Sequence, residues 1–392
     1  MMKNKIAVIG VGSAGIQSLC HFISRLNETW EVTSIHNPSK KILGIGESSN
    51  PVFLASLEEG LRFDLTNDLD KLNGTLKFGT RYEDWRAHKF TNPLIAGSVA
   101  IHFDSNSLYD FAMDRLSSIW DDKFKVIKGN VDSLENNKDS VKLQINGSEH
   151  SFDFVIDCSG SPKSFNDYKV VKPLLNSCIV HNTKPIPAEV MECTGHIATK
   201  DGWMFRVPLT TRTSYGYLYN NNITNDTEAK KNFSDIIDVP ASELQLAKYD
   251  FSSYYTQNAF NGRVLKNGNA VAFFEPMFAN SLFLYDRVNR VAIDYITGMI
   301  NEDTANDMID ETAGVILSTI AFHYLKGSTY PTKFWEYAKK WGKEETSKTR
   351  IIEYHSYILD CVAKNGALAS IEDYTFSSGG FAKLAKNLEY TT

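Results

Sequence analysis

Four apolar residues that run straight into three spaced glycines constrain this chain more than any other feature. Ile6-Ala7-Val8-Ile9 has no polar alternation, as expected of a parallel strand buried on both faces. It leads into Gly10-Val11-Gly12-Ser13-Ala14-Gly15, and Ile16, Leu19, Cys20, Ile23 and Leu26 then recur at helical spacing. Residues 30–35 read as a second strand, which completes a βαβ unit. In that setting the first glycine permits a tight turn, the second lets a pyrophosphate approach the backbone, and the third lets helix and strand pack closely. The N–H groups of Ser13, Ala14 and Gly15 would face the phosphates from the helix start. The carboxylate that ordinarily grips a ribose at the end of the second strand is missing. Ile35-His36-Asn37 stands there, so His36 occupies the ribose end without replacing the acid.

A chain of 392 residues, 42% hydrophobic and 22% charged, can bury a large core and exceeds one small domain. Its formal charge of −6 supplies no basic field for a phosphate backbone, so nucleic acid is not an expected partner. The five cysteines are scattered, odd in number and never spaced C-x-x-C, which favours reduced thiols over a disulfide framework or a metal site. With no export signal and no long apolar span, the expectation is a cytoplasmic protein that makes no use of a membrane.

Further along, 75–82 reads as one strand, 107–120 as a helix, and 124–131, 141–145 and 152–157 as strands with an Asn146-Gly147 turn. A second strand-to-glycine junction closes on Asp157-Cys158-Ser159-Gly160. Residues 178–265 alternate short strands with polar loops, of which 220–226 reads as plainly solvated. From Arg287 onward the pattern is helical, with Met308, Thr312, Val315, Ile316, Thr319 and His323 on one face. The order implies an α/β class: a Rossmann-like nucleotide domain interrupted by a helical or mixed substrate region. The nucleotide part is assigned to 1–60, 96–165 and 255–300, and the substrate part to 61–95, 166–254 and 301–392.

Several segments then resemble one family in its own order. Gly44-Ile45-Gly46-Glu47-Ser48-Ser49-Asn50-Pro51 is similar to the G-x-G-E-[AS]-T-x-P loop of the flavin-dependent, tryptophan-halogenase-like proteins. Thr75-Leu76-Lys77-Phe78-Gly79-Thr80-Arg81-Tyr82 resembles the stretch that bears their catalytic lysine. Gly202-Trp203-Met204-Phe205-Arg206-Val207-Pro208-Leu209 resembles G-W-x-W-x-I-P-L, with Phe205 for the second tryptophan. Gly268-Asn269-Ala270-Val271-Ala272-Phe273-Phe274-Glu275-Pro276 is similar to G-D-A-x-x-F-x-[DE]-P, and Pro331-Thr332-Lys333-Phe334-Trp335 to a Phe-Trp motif near the family's C-terminus.

The resemblance implies an FAD-binding fold of the flavin-monooxygenase type. FAD, as FADH2 from a separate flavin reductase, would lie against Gly10, Gly12, Ser13, Ala14, Gly15, His36, Gly46, Glu47, Ser48, Asp157, Gly160, Asn269 and Pro276. Reduced flavin and dioxygen would oxidise chloride, bromide or iodide to hypohalous acid. Lys77 would hold that acid or become a haloamine, and pass the halogen to an electron-rich aromatic carbon. Trp203, Phe205, Pro208 and Phe278 would line the passage and substrate site, and the amides near Asn280 and Ser281 would meet halide, with Ser281 in place of a glycine. Phe278 stands where tryptophan halogenases carry a glutamate, which turns expectation from free tryptophan towards phenols or pyrroles. The short stretch beyond Trp335 implies an open site for a bulky substrate, including one held on a carrier protein. No metal is implied, and oligomeric state is left open. Two other readings stay in view: a monooxygenase or oxidase of the same fold, which has no use for Lys77, and a flavin-binding protein without catalysis, suggested by the departures at His36, Asn269, Phe278 and Ser281.

Overall fold

The opening apolar run forms the strand Asn4–Ile9, flanked in parallel by Trp30–His36 on one side and Phe154–Asp157 on the other. The computed structural model describes residues 3–40, 42–45, 47–94, 97–187, 191–244, 247–348, 360 and 378–390. Val264–Lys266 and Phe124–Lys128 extend this sheet in parallel, and Phe260–Asn261 closes one edge antiparallel, giving six strands. Ile6, Ala7, Val8 and Val32 are fully buried, the burial on both faces that an unbroken apolar run demands. The helix Ser13–Arg25 crosses from the first strand to the second, as its apolar spacing predicts.

A second, seven-stranded sheet holds the middle of the chain, in the order Ala247–Asp250, Ser177–Thr183, Thr213–Tyr219, Gly202–Pro208, Cys193–Ala198, Gly79–Glu83 and Phe90–Pro93. A separate three-stranded sheet pairs Ala100–Phe103 on one side with Glu47–Ser48 and on the other with Thr75–Lys77. The helices Asn280–Ile296, Glu302–Lys326 and Lys333–Thr346 complete the described core. The class is therefore α/β with a parallel nucleotide-type sheet, as the sequence implies.

Five local expectations change. The strand expected over 124–131 splits: Phe124–Lys128 joins the six-stranded sheet, whereas Val131 opens Val131–Asn136 in a separate three-stranded one. The strand expected over 75–82 breaks at Phe78: Lys77 ends a strand of the small sheet, whereas Gly79 starts a strand of the seven-stranded one. A Cβ on Gly79 would lie 2.7 Å from the Asn92 carbonyl oxygen, so only glycine admits this close crossing. The 220–226 stretch is no free loop, because Asn220 is buried and its Nδ2 donates to the Leu174 carbonyl at 2.9 Å. The first α-helix of the C-terminal third begins at Asn280, not at Arg287. Glu302–Lys326 is buried all round from Thr312 to Tyr324, so its packing extends beyond the one face that periodicity selects. No helix among the described residues is long and apolar enough to cross a membrane.

Candidate active site

At the glycine turn, Gly10 has φ of +93°, and a Cβ there would sit 2.5 Å from the Cys158 carbonyl oxygen. A Cβ on Gly15 would come within 2.0 Å of the Gly10 carbonyl oxygen, so the third glycine lets the helix close on the turn. Gly12 differs: a Cβ would meet nothing within 4 Å. The helix that starts there has no side-chain cap, so its first N–H groups look into that open space beside Gly12. Gly160, with φ of +115°, likewise borders open space, and Asp157 fixes the same turn by accepting from the Ser159 amide at 2.9 Å. These features fit a dinucleotide pyrophosphate. Nearby, Asn269 Oδ1 accepts from the Tyr285 hydroxyl at 3.0 Å, and Pro276 is exposed. His36 is buried with Nδ1 3.0 Å from Ser34 Oγ and Nε2 3.1 Å from the Tyr109 hydroxyl, so both ring nitrogens are already engaged. Gly46 lies outside the described residues.

Lys77 is only 3% exposed. Its Nζ donates to Ser48 Oγ at 2.8 Å and to the Ser49 carbonyl at 2.7 Å, and among the described residues no carboxylate is bonded to it. Burial therefore pushes the ammonium down to about 7, an effect that nearby Cys193 opposes. Glu47, next to Ser48, is raised by burial to about 7, with Ser105 opposing and Asp104 adding to the rise.

The chain after Lys77 leads into an aromatic cluster. Tyr82, His196, Phe278 and His323 pack with ring centroids 4.5–6.1 Å apart, and Trp203 lies 4.7 Å from His196. Trp203 and Phe205 share one face of their strand, and Phe205 covers Gly216, where a Cβ would strike the ring at 2.0 Å. Pro208 ends the strand, and its carbonyl accepts from Thr75 at 2.8 Å. Glu275 is 4% exposed, accepts from the Tyr324 hydroxyl at 2.9 Å, and is pushed by burial up to about 8. Burial thus favours its protonated form.

Phe278 and Ala279 both adopt left-handed backbone, φ +60° and +57°, immediately before the helix Asn280–Ile296. Each costs about 1–2 kcal/mol without glycine, so the surrounding packing must hold this turn. The turn delivers Asn280 to the helix start with both side-chain polar atoms buried and without a hydrogen-bond partner among the described residues. Ser281 beside it is half-buried. Asn50 Nδ2 reaches the Ala279 carbonyl at 3.4 Å, so the Ser48-Ser49-Asn50 segment touches Lys77 at one end and this turn at the other. The halide and lysine assignments, 200 residues apart in sequence, thus fall in one neighbourhood.

Sequence reading missed His102, His196 and Thr194, which surround the lysine and its neighbours. His102 and His196 have their basicity pulled well below the ordinary histidine range, by burial first and the Lys77 charge second. No local motif marks them, and only the pairing of distant strands brings them here. An open surface cavity of about 500 Å³ includes Lys169, Tyr255, Asp310 and Glu345 in its lining, but none of the candidate residues.

A strand–glycine turn–helix beside a second glycine junction fits a nucleotide-binding α/β protein. The family model for tryptophan halogenases matches residues 5–124 and 91–381. The tryptophan 7-halogenase RebH of Lentzea aerocolonigenes is 19% identical, over 90% of this chain and 82% of its own. A tryptophan halogenase structure from Shewanella frigidimarina superposes with a TM-score of 0.83 at 16% identity, covering 100% of this chain and 90% of that one. A flavin-dependent halogenase from Xanthomonas campestris gives 0.80 at 15% identity, with the same coverages. The chain belongs to the tryptophan halogenase family, as a divergent member, and is a flavin-dependent halogenase in class.

Proposed function

We propose that this enzyme uses FADH2, dioxygen and halide to halogenate an electron-rich aromatic substrate through Lys77. Bound FADH2 supplies, with dioxygen, the two-electron oxidant that converts halide to hypohalous acid. The pyrophosphate fits the turn Gly10, Gly12, Ser13, Ala14 and Gly15. Asp157, Gly160, Asn269 and Pro276 would border the same cofactor, with His36, Glu47 and Ser48 at its margins. Asn280, whose side chain is an orphan at a helix start, and Ser281 would hold halide where N–H groups favour an anion.

The observation that carries the reading is the buried amine of Lys77, pinned by Ser48 and Ser49 and bonded to no carboxylate among the described residues. An ammonium there can hydrogen-bond hypohalous acid. A neutral amine can instead take the halogen with release of water, and hand it to the arene as a ring proton departs. The wall of Trp203, Phe205, Pro208 and Phe278 would separate substrate from flavin. Phe278, with no carboxylate to offer, suits a phenol, pyrrole or similar ring rather than free tryptophan, either free or on a carrier. A separate flavin reductase is the partner that this scheme requires.

Incubation with reduced FAD, oxygen and each halide in turn, over a panel of phenols, pyrroles and indoles, tests the proposal by mass spectrometry. Halogenated products are expected. Hydroxylated products would favour a monooxygenase, and peroxide alone would favour a protein without halogenase chemistry.

A further inference from the structure

Ser48, the partner of Lys77, is the first link of a longer chain. Its Oγ lies 2.6 Å from Thr194 Oγ1, Thr194 Oγ1 lies 3.0 Å from His102 Nε2, and His102 Nδ1 lies 2.8 Å from Thr75 Oγ1. Thr75 Oγ1 is 2.8 Å from the Pro208 carbonyl. Strand register explains the assembly, since His102 stands opposite Ser48 on one neighbour and Thr75 on the other. His102 is fully buried and Thr194 is 4% exposed.

The chain has one internally consistent direction. A carbonyl only accepts, so Thr75 spends its one hydrogen on Pro208 and must accept from His102 Nδ1–H. A neutral imidazole with hydrogen on Nδ1 accepts at Nε2, so Thr194 donates to it and Ser48 donates to Thr194. Ser48 is then left with only lone pairs for Lys77. The two hydrogens of a neutral Lys77 amine go to Ser48 Oγ and the Ser49 carbonyl, and its lone pair is the one position unspent.

We propose that His102 is a positioning residue for Lys77: through Thr194 and Ser48 it commits the hydroxyl hydrogens away from the lysine, which keeps the amine's lone pair free to receive the halogen. The functional part of this inference rests on the halogen-transfer reading, whereas the directed chain stands without it. Burial, the larger cause, holds His102 well below the ordinary histidine range and does not depend on the charge of Lys77, so the ring is neutral as the scheme needs. Among the described residues, the titratable groups that act electrostatically on or from Lys77 are Cys193, His102 and His196.

The experiment is an NMR titration of the Lys77 ε-carbon in full-length protein, assigned by loss of its signal in Lys77→Arg. In Thr194→Val, Ser48 loses its acceptor, its hydrogen can turn onto the Lys77 nitrogen, and its oxygen is less polarised. Both effects favour the neutral amine, so the midpoint should fall by about 0.5–1 unit, the scale of one hydrogen bond. Thr194→Ser should titrate like wild type. His102→Phe breaks the chain from its other end and should reproduce the fall, so either folded variant decides the matter. An unchanged or raised midpoint in a folded chain-breaking variant would overturn the proposal, as would an equal shift in Thr194→Ser. No turnover is involved: a wild type that halogenates nothing sinks the functional reading, whereas halogenation with an unmoved titration sinks the chain alone.

Discussion

At the scale of single residues, the site is governed by what burial does to charge. Lys77 is neutralised near pH 7 in the folded chain, whereas the unfolded lysine keeps its proton to about 10.5. If the neutral amine carries the halogen, product formed per flavin oxidised should climb between pH 6 and 8.5 with a midpoint near 7. A flat ratio over that range would count against it. Glu275 has the opposite sense: folding raises it from 4.5 to about 8, so the folded state retains a proton that the unfolded state has lost. Stability from this group therefore falls as pH rises through that window. Glu275→Gln keeps an acceptor for Tyr324 without titrating. Its melting temperature relative to wild type should rise from pH 5 to 8 by about 2 °C or more and then level off. A difference independent of pH would mean that Glu275 does not titrate there.

At the scale of elements, the opening strand, turn and helix were legible because every cause is local: an apolar run, three glycines and a helical stripe. The same locality supports a contrast between two glycines. Gly15→Ala would drive a Cβ into the Gly10 carbonyl, prising helix from strand, so both melting temperature and FAD content should drop. Gly12→Ala meets no protein atom within 4 Å, so stability should hold within about 0.5 kcal/mol while FAD binding is lost to the added methyl. Equal loss of stability in both would contradict this assignment of roles. The break at Phe78 was not legible, since 75–82 alternates like one strand. What divides it is the close approach of Gly79 to the Asn92 carbonyl from another strand, a contact without a trace in local pattern.

At the scale of the whole molecule, the motifs that resemble the halogenase family were readable in order along the chain, but their convergence was not. Lys77, Ser48, Thr194 and His102 come from four strands, and Asn280 arrives through a left-handed turn that no composition rule encodes. The lysine could be named from its motif, while the groups that orient it required the pairing of distant strands. The scheme also makes the reductase a supplier of FADH2 and nothing more. Photoreduced FAD without any reductase should therefore sustain halogenation, and a strict need for the reductase protein would contradict that division of labour. The most direct measurement compares wild type with Lys77→Ala, each given FADH2, oxygen, halide and an electron-rich aromatic substrate, with flavin reoxidation followed by absorbance and products by mass spectrometry. Halogenated product should disappear in Lys77→Ala while flavin reoxidation continues. Undiminished halogenation by that variant would contradict the role of the buried amine.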